Sequence, residues 1–208
     1  MATRLAFYAK NNKIYSQAVN FEWMPGLSAA QKKRSMANMH RVINGKALEV
    51  STKSDKEIGV KLSAFNLRLN GVPLENIFQS SKCFAAGGPY KDLLAVSPKE
   101  AKRDERLKHS GLLKSFEFEN ESWDLEPKTA FYDYIYVRAV KESVPLEELK
   151  QILEYDYFTD IEFNHAKSLN TQARSIGIVK VLLQIFGEIP DVRSKEEFLK
   201  FHKTVVKA

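Results

Sequence analysis

Gln172-Ala173-Arg174-Ser175-Ile176-Gly177-Ile178-Val179-Lys180-Val181-Leu182-Leu183-Gln184-Ile185-Phe186, followed by Gly187, reads as a helix that is apolar on most of its sides. Ile176, Ile178, Val179, Val181, Leu182, Leu183 and Ile185 are too many for one stripe, so the helix belongs inside a core. Gly187 suits its end. No run of about 18 apolar residues occurs in the chain, so no membrane span is expected.

Outward from this helix, the pattern continues in both directions. Ser194-Lys195-Glu196-Glu197 caps a last helix whose inward positions are Phe198, Phe201 or His202, and Val205. On the other side, Tyr155 to Thr171 is irregular and polar. Pro145 opens a helix with Leu146, Leu149, Ile152 and Leu153. Pro127 opens another with Phe131, Tyr134, Ile135 and Ala139 at helical spacing. Ser97-Pro98-Lys99-Glu100 combines a Ser N-cap, Pro at the first helical position and Glu at the third. A helix is expected over residues 74 to 84, and Ser115-Phe116-Glu117-Phe118 alternates like a strand.

The N-terminal part reads differently. Residues 4 to 23 form short strands around an Asn11-Asn12 turn, with Val19, Phe21 and Trp23 on one face. Ser28-Ala29-Ala30-Gln31 has capping-box form and starts a helix to about Ile43. Leu48-Glu49-Val50 and Phe65 to Leu69 look like further strands. The whole is an α+β domain, predominantly helical, with a few short strands.

The 208 residues suffice for one large domain, and 44% hydrophobic with 28% charged residues is ordinary globular composition. The single cysteine, Cys83, excludes an internal disulfide framework and paired-cysteine zinc sites. With an N-terminus that lacks a signal-peptide apolar stretch, this points to a cytoplasmic protein. A net charge of +6 favours anionic partners, or simply a solvated basic surface such as Lys32-Lys33-Arg34.

Signatures of phosphate loops, dinucleotide folds, paired metal-binding histidines and nucleophile elbows are missing. Two segments are richer in chemistry. In Leu74-Glu75-Asn76-Ile77-Phe78-Gln79-Ser80-Ser81-Lys82, helical spacing puts Glu75, Gln79 and Lys82 on one face; complementing the helix dipole is the simpler use of such a pattern. Between Tyr155 and Arg174 lie acids, aromatics, two asparagines, Lys167 and Arg174, a set suited to a nucleobase and to phosphate, or to a hydrated loop.

These segments resemble a known family. Asn70-Gly71 through Glu75, Gln79 and Lys82-Cys83-Phe84 resembles the D-G…E-H-x-x-Q-A-x-K-F region of the NADAR (YbiA-like) family. Ser97-Pro98-Lys99-Glu100-Ala101-Lys102-Arg103 is similar to its S-P-x-x-A-K/R segment, and Trp123 with Lys128 to its W-x-x-x-K helix. Asp156-Tyr157-Phe158 and Lys167-Ser168-Leu169-Asn170 resemble its closing blocks. The blocks keep their order from about Leu62 to Phe186. Asn76 stands where the family has His or an aromatic, and Thr159-Asp160 where it has Trp-Gly.

The resemblance implies a YbiA-like domain over residues 61–208, with residues 1–60 an N-terminal β-containing extension packed on it as one structural unit. It implies N-glycosidic chemistry on an ADP-ribosyl or ribosyl-phosphate substrate, including removal of ADP-ribose from modified guanine in DNA, with no metal or cofactor. Glu75 is then the central carboxylate, with Asp156 the second and Asp160 its substitute. Lys82, Lys102, Lys167 and Arg174 would hold phosphates, Phe158 or Trp123 would stack on a base, and Gln79 and Asn170 would bond ribose hydroxyls. Two other classes remain: a non-catalytic sensor of an NAD-derived nucleotide, and a nucleic-acid-binding module using Lys32-Lys33-Arg34 and Lys99 to Arg106.

Overall fold

Asn11 and Asn12 have φ of 51° and 57°, the left-handed pair that a two-residue hairpin of the favoured twist requires. They join β1 (Ala2–Lys10) to β2 (Lys13–Phe21) in continuous antiparallel register. The computed structural model describes residues 1–26, 28–166, 170–192 and 194–206. After the hairpin come α1 (Ala29–Val42), closed by the Ser28–Gln31 capping box, then β3 (Ala47–Glu49) and α2 (Glu57–Lys61). β4 (Arg68–Leu69), β5 (Val72–Pro73), α3 (Leu74–Ser80), β6 (Lys82–Phe84), α4 (Pro98–Arg103) and α5 (Arg106–His109) follow. The chain continues through β7 (Leu113–Phe118), β8 (Glu121–Asp124), α6 (Ala130–Ser143) and α7 (Leu146–Leu149), and ends with β9 (Tyr157–Thr159), α8 (Gln172–Phe186) and α9 (Lys195–Val205).

The main sheet has the order β2-β1-β9-β3, with β9 antiparallel to β1 and parallel to β3. Successive side chains of a strand point to opposite faces, and both faces of this sheet are covered. Ala6, Val19 and Phe21 pack with Met36 and Met39 of α1; Phe7, Ile14 and Phe158 pack on the other side with α8. α8 comes close enough that a Cβ on Gly177 would lie 3.2 Å from Ile14 Cδ1. Beyond α8 lies α6, buried from Ala130 to Val137, and α9 packs against α6. A smaller sheet, β6-β7-β8, carries the aromatic cluster Phe78, Phe116, Phe131 and Trp123. The architecture is one α+β domain; with 44% helix and 21% strand, strands carry more of it than the sequence suggests. Among the described residues no helix is long and apolar enough to cross a membrane.

Four local expectations are corrected. The helix expected over 74 to 84 stops at Ser80, because the Ser80 and Ser81 hydroxyls both donate back to the Ile77 carbonyl (3.1 and 2.8 Å) and Lys82 to Phe84 pair with β7. The strand expected over 65 to 69 shrinks to Arg68–Leu69, since the Asn66 and Leu67 N–H groups turn back to the Ser63 carbonyl. The helix after Pro127 begins only at Ala130, past Thr129 at φ 74°. The stretch from Tyr155 holds a strand, β9, at the middle of the main sheet.

The helices are tied together by one buried carboxylate. Asp133 of α6 is fully buried and accepts from Arg174 (2.6 Å) and Ser175 (2.6 Å) of α8 and from His202 Nε2 of α9 (2.9 Å). Burial alone would raise its pKa, but Arg174, His202 and Ser175 outweigh that and hold the carboxyl below its ordinary value. Asp133→Asn leaves the Arg174 charge without its counterion, and a loss of about 3–5 kcal/mol is expected at pH 7. A depressed carboxyl contributes stability above its unfolded value of about 3.9 and loses it as pH falls through the folded value. Urea unfolding is therefore expected to show a gap between wild type and variant that is full at pH 7 and closes below about pH 4.

Candidate active site

α3 has no side-chain N-cap; its first turn is held instead by the Leu74 N–H on Leu67 O (2.9 Å) and the Glu75 N–H on Ala64 O (3.3 Å). All seven of its residues are buried, and its polar face borders a cavity of about 400 Å³, a size typical of small-molecule sites. Along this face runs a chain of polar contacts. Lys82 Nζ donates to Gln79 Oε1 (2.6 Å), and Gln79 Nε2 donates to Glu75 Oε1 (2.8 Å). Lys102 of α4 stands at the mouth, its Nζ 3.6 Å from Glu75 Oε1 and 5.2 Å from the centre of the half-exposed Phe65 ring. Lys82 lies beyond the end of α3 and reaches back over the Phe78 ring. Burial, with Lys102 adding repulsion and Glu75 opposing both, lowers its pKa to about 8.

The cavity is also lined by residues that follow β9 and by the start of α8. Asp160 Oδ2 accepts from Gln172 Nε2 (3.0 Å) and Oδ1 from the Glu162 N–H (3.1 Å). Burial and the nearby Glu49 raise its pKa to about 7. Gln172 also accepts the Ala64 N–H (2.8 Å), so one side chain bridges Asp160 and Ala64. Tyr132 of α6 lines the floor; burial first, then the charges of Glu75 and Asp160, push its phenol well above its usual range. Phe65 and Phe163 supply aromatic lining.

Of the residues singled out from sequence, Glu75, Gln79, Lys82, Lys102, Asp160 and Asn170 line this cavity. Four others do not. Asp156 stands at the start of β9, accepts the Lys46 N–H (2.8 Å) and borders a different opening with Lys10 and Lys180. Four residues of nearly extended chain carry it about 13 Å from Asp160. Phe158 points from β9 into the core and Trp123 from β8 onto Phe131 and Tyr134, so neither ring is available to a base. Arg174 belongs to the Asp133 network. Lys167 lies outside the described residues. Phe65, Tyr132 and Gln172 were not singled out in the sequence, and Phe163 only as one of the aromatics between Tyr155 and Arg174: Gln172 reads as a helix start, and no local pattern sets Phe65 and Tyr132 apart from core residues. Among the described residues no group of three or more His, Cys, Asp or Glu could hold a metal ion.

Carboxylates, amides and a cation near its mouth give this cavity the kind of lining found in polar small-molecule sites. The family model described as DarT1-associated NADAR antitoxin matches residues 2–208, and the chain belongs to that NADAR family. A comparison with curated proteins finds no match.

Lys82 offers a direct test of this geometry. Its amine is expected to titrate near pH 8 while exposed lysines titrate above 10. Because Glu75 raises that value, Glu75→Gln is expected to lower it further. Reductive ¹³C-methylation followed by NMR titration reads both shifts.

Proposed function

We propose that the protein is an N-glycosidase that removes ADP-ribose from a modified nucleobase, guanine in DNA being the substrate that the family resemblance favours. The observation that supports this reading is that Glu75 and Asp160 line one cavity in unlike surroundings, Asp160 with its pKa raised by burial and Glu49. Breaking a ribose–base bond builds positive charge on the anomeric carbon, while the departing base needs a proton. Glu75, in contact with Gln79 and near Lys102, is the carboxylate that faces the developing charge. Asp160, with its pKa near 7, is the acid that protonates the base. Water then adds to the anomeric carbon and gives its proton to the Asp160 carboxylate, which restores the acid. Lys102, exposed at the mouth beside Phe65, grips a phosphate, and Gln79 and Asn170 bond ribose hydroxyls. The family's description as an antitoxin adds the setting: reversal of a modification made by its toxin.

A second reading of the chemistry rests on Lys82. An amine with a pKa near 8 inside the cavity is partly neutral at physiological pH and is nucleophilic. It would attack the anomeric carbon, expel the base with transfer of its proton, and open the ribose to an imine. Borohydride added during turnover would then fix the sugar to Lys82 as a secondary amine, visible by mass spectrometry; under the first reading no such adduct forms. A pure nucleic-acid module is less favoured, because Lys32 is already paired with Glu162, and Arg106 with Asp92 and Asp104.

The deciding experiment incubates the purified protein with ADP-ribosylated DNA, NAD and pyrimidine ribosyl phosphates and follows released base or sugar. Glu75→Gln is expected to lose about 100-fold in turnover, the scale of removing such electrostatic help. Asp160→Asn is expected to lose a similar factor, about 10²-fold. Asp156→Asn is expected to stay within about twofold of wild type, as a surface change away from the cavity should. Wild-type turnover should decline as pH rises through about 7, where Asp160 gives up its proton. Binding of ADP-ribose without turnover of any of these substrates would support the sensor class instead.

A further inference from the structure

Behind the Asp160 wall lies a second carboxylate that the family motifs do not include. Glu49 of β3 is fully buried. Its Oε1 accepts the Ser51 hydroxyl (2.6 Å) and the Ile161 N–H (2.8 Å), and its Oε2 accepts the Thr159 hydroxyl (2.7 Å). The Ser51 oxygen accepts the Lys53 N–H, which leaves its own hydrogen for Glu49. The Thr159 oxygen is 2.7 Å from His40 Nε2. With the threonine hydrogen spent on Glu49, the imidazole is the donor in that contact. Burial keeps His40 neutral by lowering its pKa, against a smaller opposing effect of Asp55, which agrees with a single hydrogen on Nε2.

The two residues that Glu49 holds, Thr159 and Ile161, flank Asp160. Ladder bonding reinforces the grip: Glu49 is opposite Thr159 in the β3–β9 pair, and the Val50 N–H donates to Thr159 O (2.8 Å). Two carboxylates this deeply placed cannot both be charged cheaply. Donor count decides which one is. Burial raises the pKa of Glu49 too, but Ser51, Ile161 and Thr159 oppose it with three hydrogen bonds, and a carboxylate is an acceptor only, so of the two the anion is favoured at Glu49. Asp160 receives two, from the Glu162 N–H and the Gln172 amide. Among the described residues the charged groups that share its cavity are Glu75, Glu162, Lys82 and Lys102. Glu162 is itself paired with Lys32 of α1 (2.9 Å), and from α6 come the phenols of Tyr132 and Tyr136.

We propose that Glu49 is the positioning residue of this site: it holds Asp160 from both flanks and, as the anionic member of the pair, reserves the pair's proton for Asp160. The inference rests on the glycosidase reading only for the use to which that proton is put.

The test titrates the Asp160 carboxyl by ¹³C NMR in the full chain, assigned by its loss in Asp160→Asn. Glu49→Gln keeps the volume and removes the charge, so the Asp160 midpoint is expected to fall by at least about one pH unit. Thr159→Val removes one donor, passes part of the proton to Glu49 and is expected to lower the midpoint by less. Thr159→Ser, which keeps the hydroxyl, is expected to match wild type. The alkaline limb of turnover should move to lower pH with the midpoint. An Asp160 midpoint unmoved in Glu49→Gln overturns the proposal; should that variant fail to fold, an unmoved midpoint in Thr159→Val does so. Turnover absent from wild type while the midpoint moves as stated would remove the glycosidase reading and leave the positioning role standing.

Discussion

α8 is apolar on most of its circumference, and a helix of that kind must be covered from every side. One side is met by the main sheet, where Ile14 and Phe158 approach Gly177 closely, and another by α6. Removing this surface from water is the dominant favourable term available to such a helix. The consequence for the rest of the chain is geometric. Once α8 is sunk between sheet and helix, its first residues and those that follow β9 reach the same cavity. Asp160, Phe163, Asn170 and Gln172 line it together with Glu75 and Gln79 of α3.

The same low-dielectric interior sets the chemistry. Three of the buried carboxylates meet it in three ways. Asp133 is satisfied by a guanidinium, an imidazole and a hydroxyl and stays ionised as a strut between helices. Glu49 is satisfied by hydroxyls and a backbone N–H. Asp160 has amide partners only and shares its surroundings with other acids, so its proton is held to near neutral pH. Burial works in the opposite sense on Lys82, where it disfavours the ammonium. A carboxyl pushed up and an amine pushed down toward neutrality thus line one cavity.

The basic surface is more structural than its composition suggests. Lys32 is largely covered: it pairs with Glu162 and lies over the Trp23 ring, pinning the loop after β9 to α1. Arg106 bridges Asp92 and Asp104 while stacking over Tyr90. Such contacts spend positive charge on local order, and Lys102 at the cavity mouth likewise lies 3.6 Å from Glu75.

Signals confined to a few neighbouring residues were readable in the chain itself. The Ser28–Gln31 and Ser97–Glu100 capping boxes, the Asn11-Asn12 turn and the span of α8 follow from local hydrogen bonding and periodicity, and they stand in the structure as expected. So does the contact between Glu75 and Gln79, four residues apart on one helix. β9 was not readable, because three residues are too few to show alternation and its pairing with β1 and β3 is made across more than a hundred residues. The choice between Asp156 and Asp160 was likewise beyond local reading. Both are acids in one polar loop, and only the direction in which β9 crosses the sheet sends one to the cavity and the other to the far edge. Glu49 carries no motif at all. Its importance arises where Thr159 and Ile161 close around it, and the energy of a buried charge depends on those distant donors rather than on its neighbours in sequence.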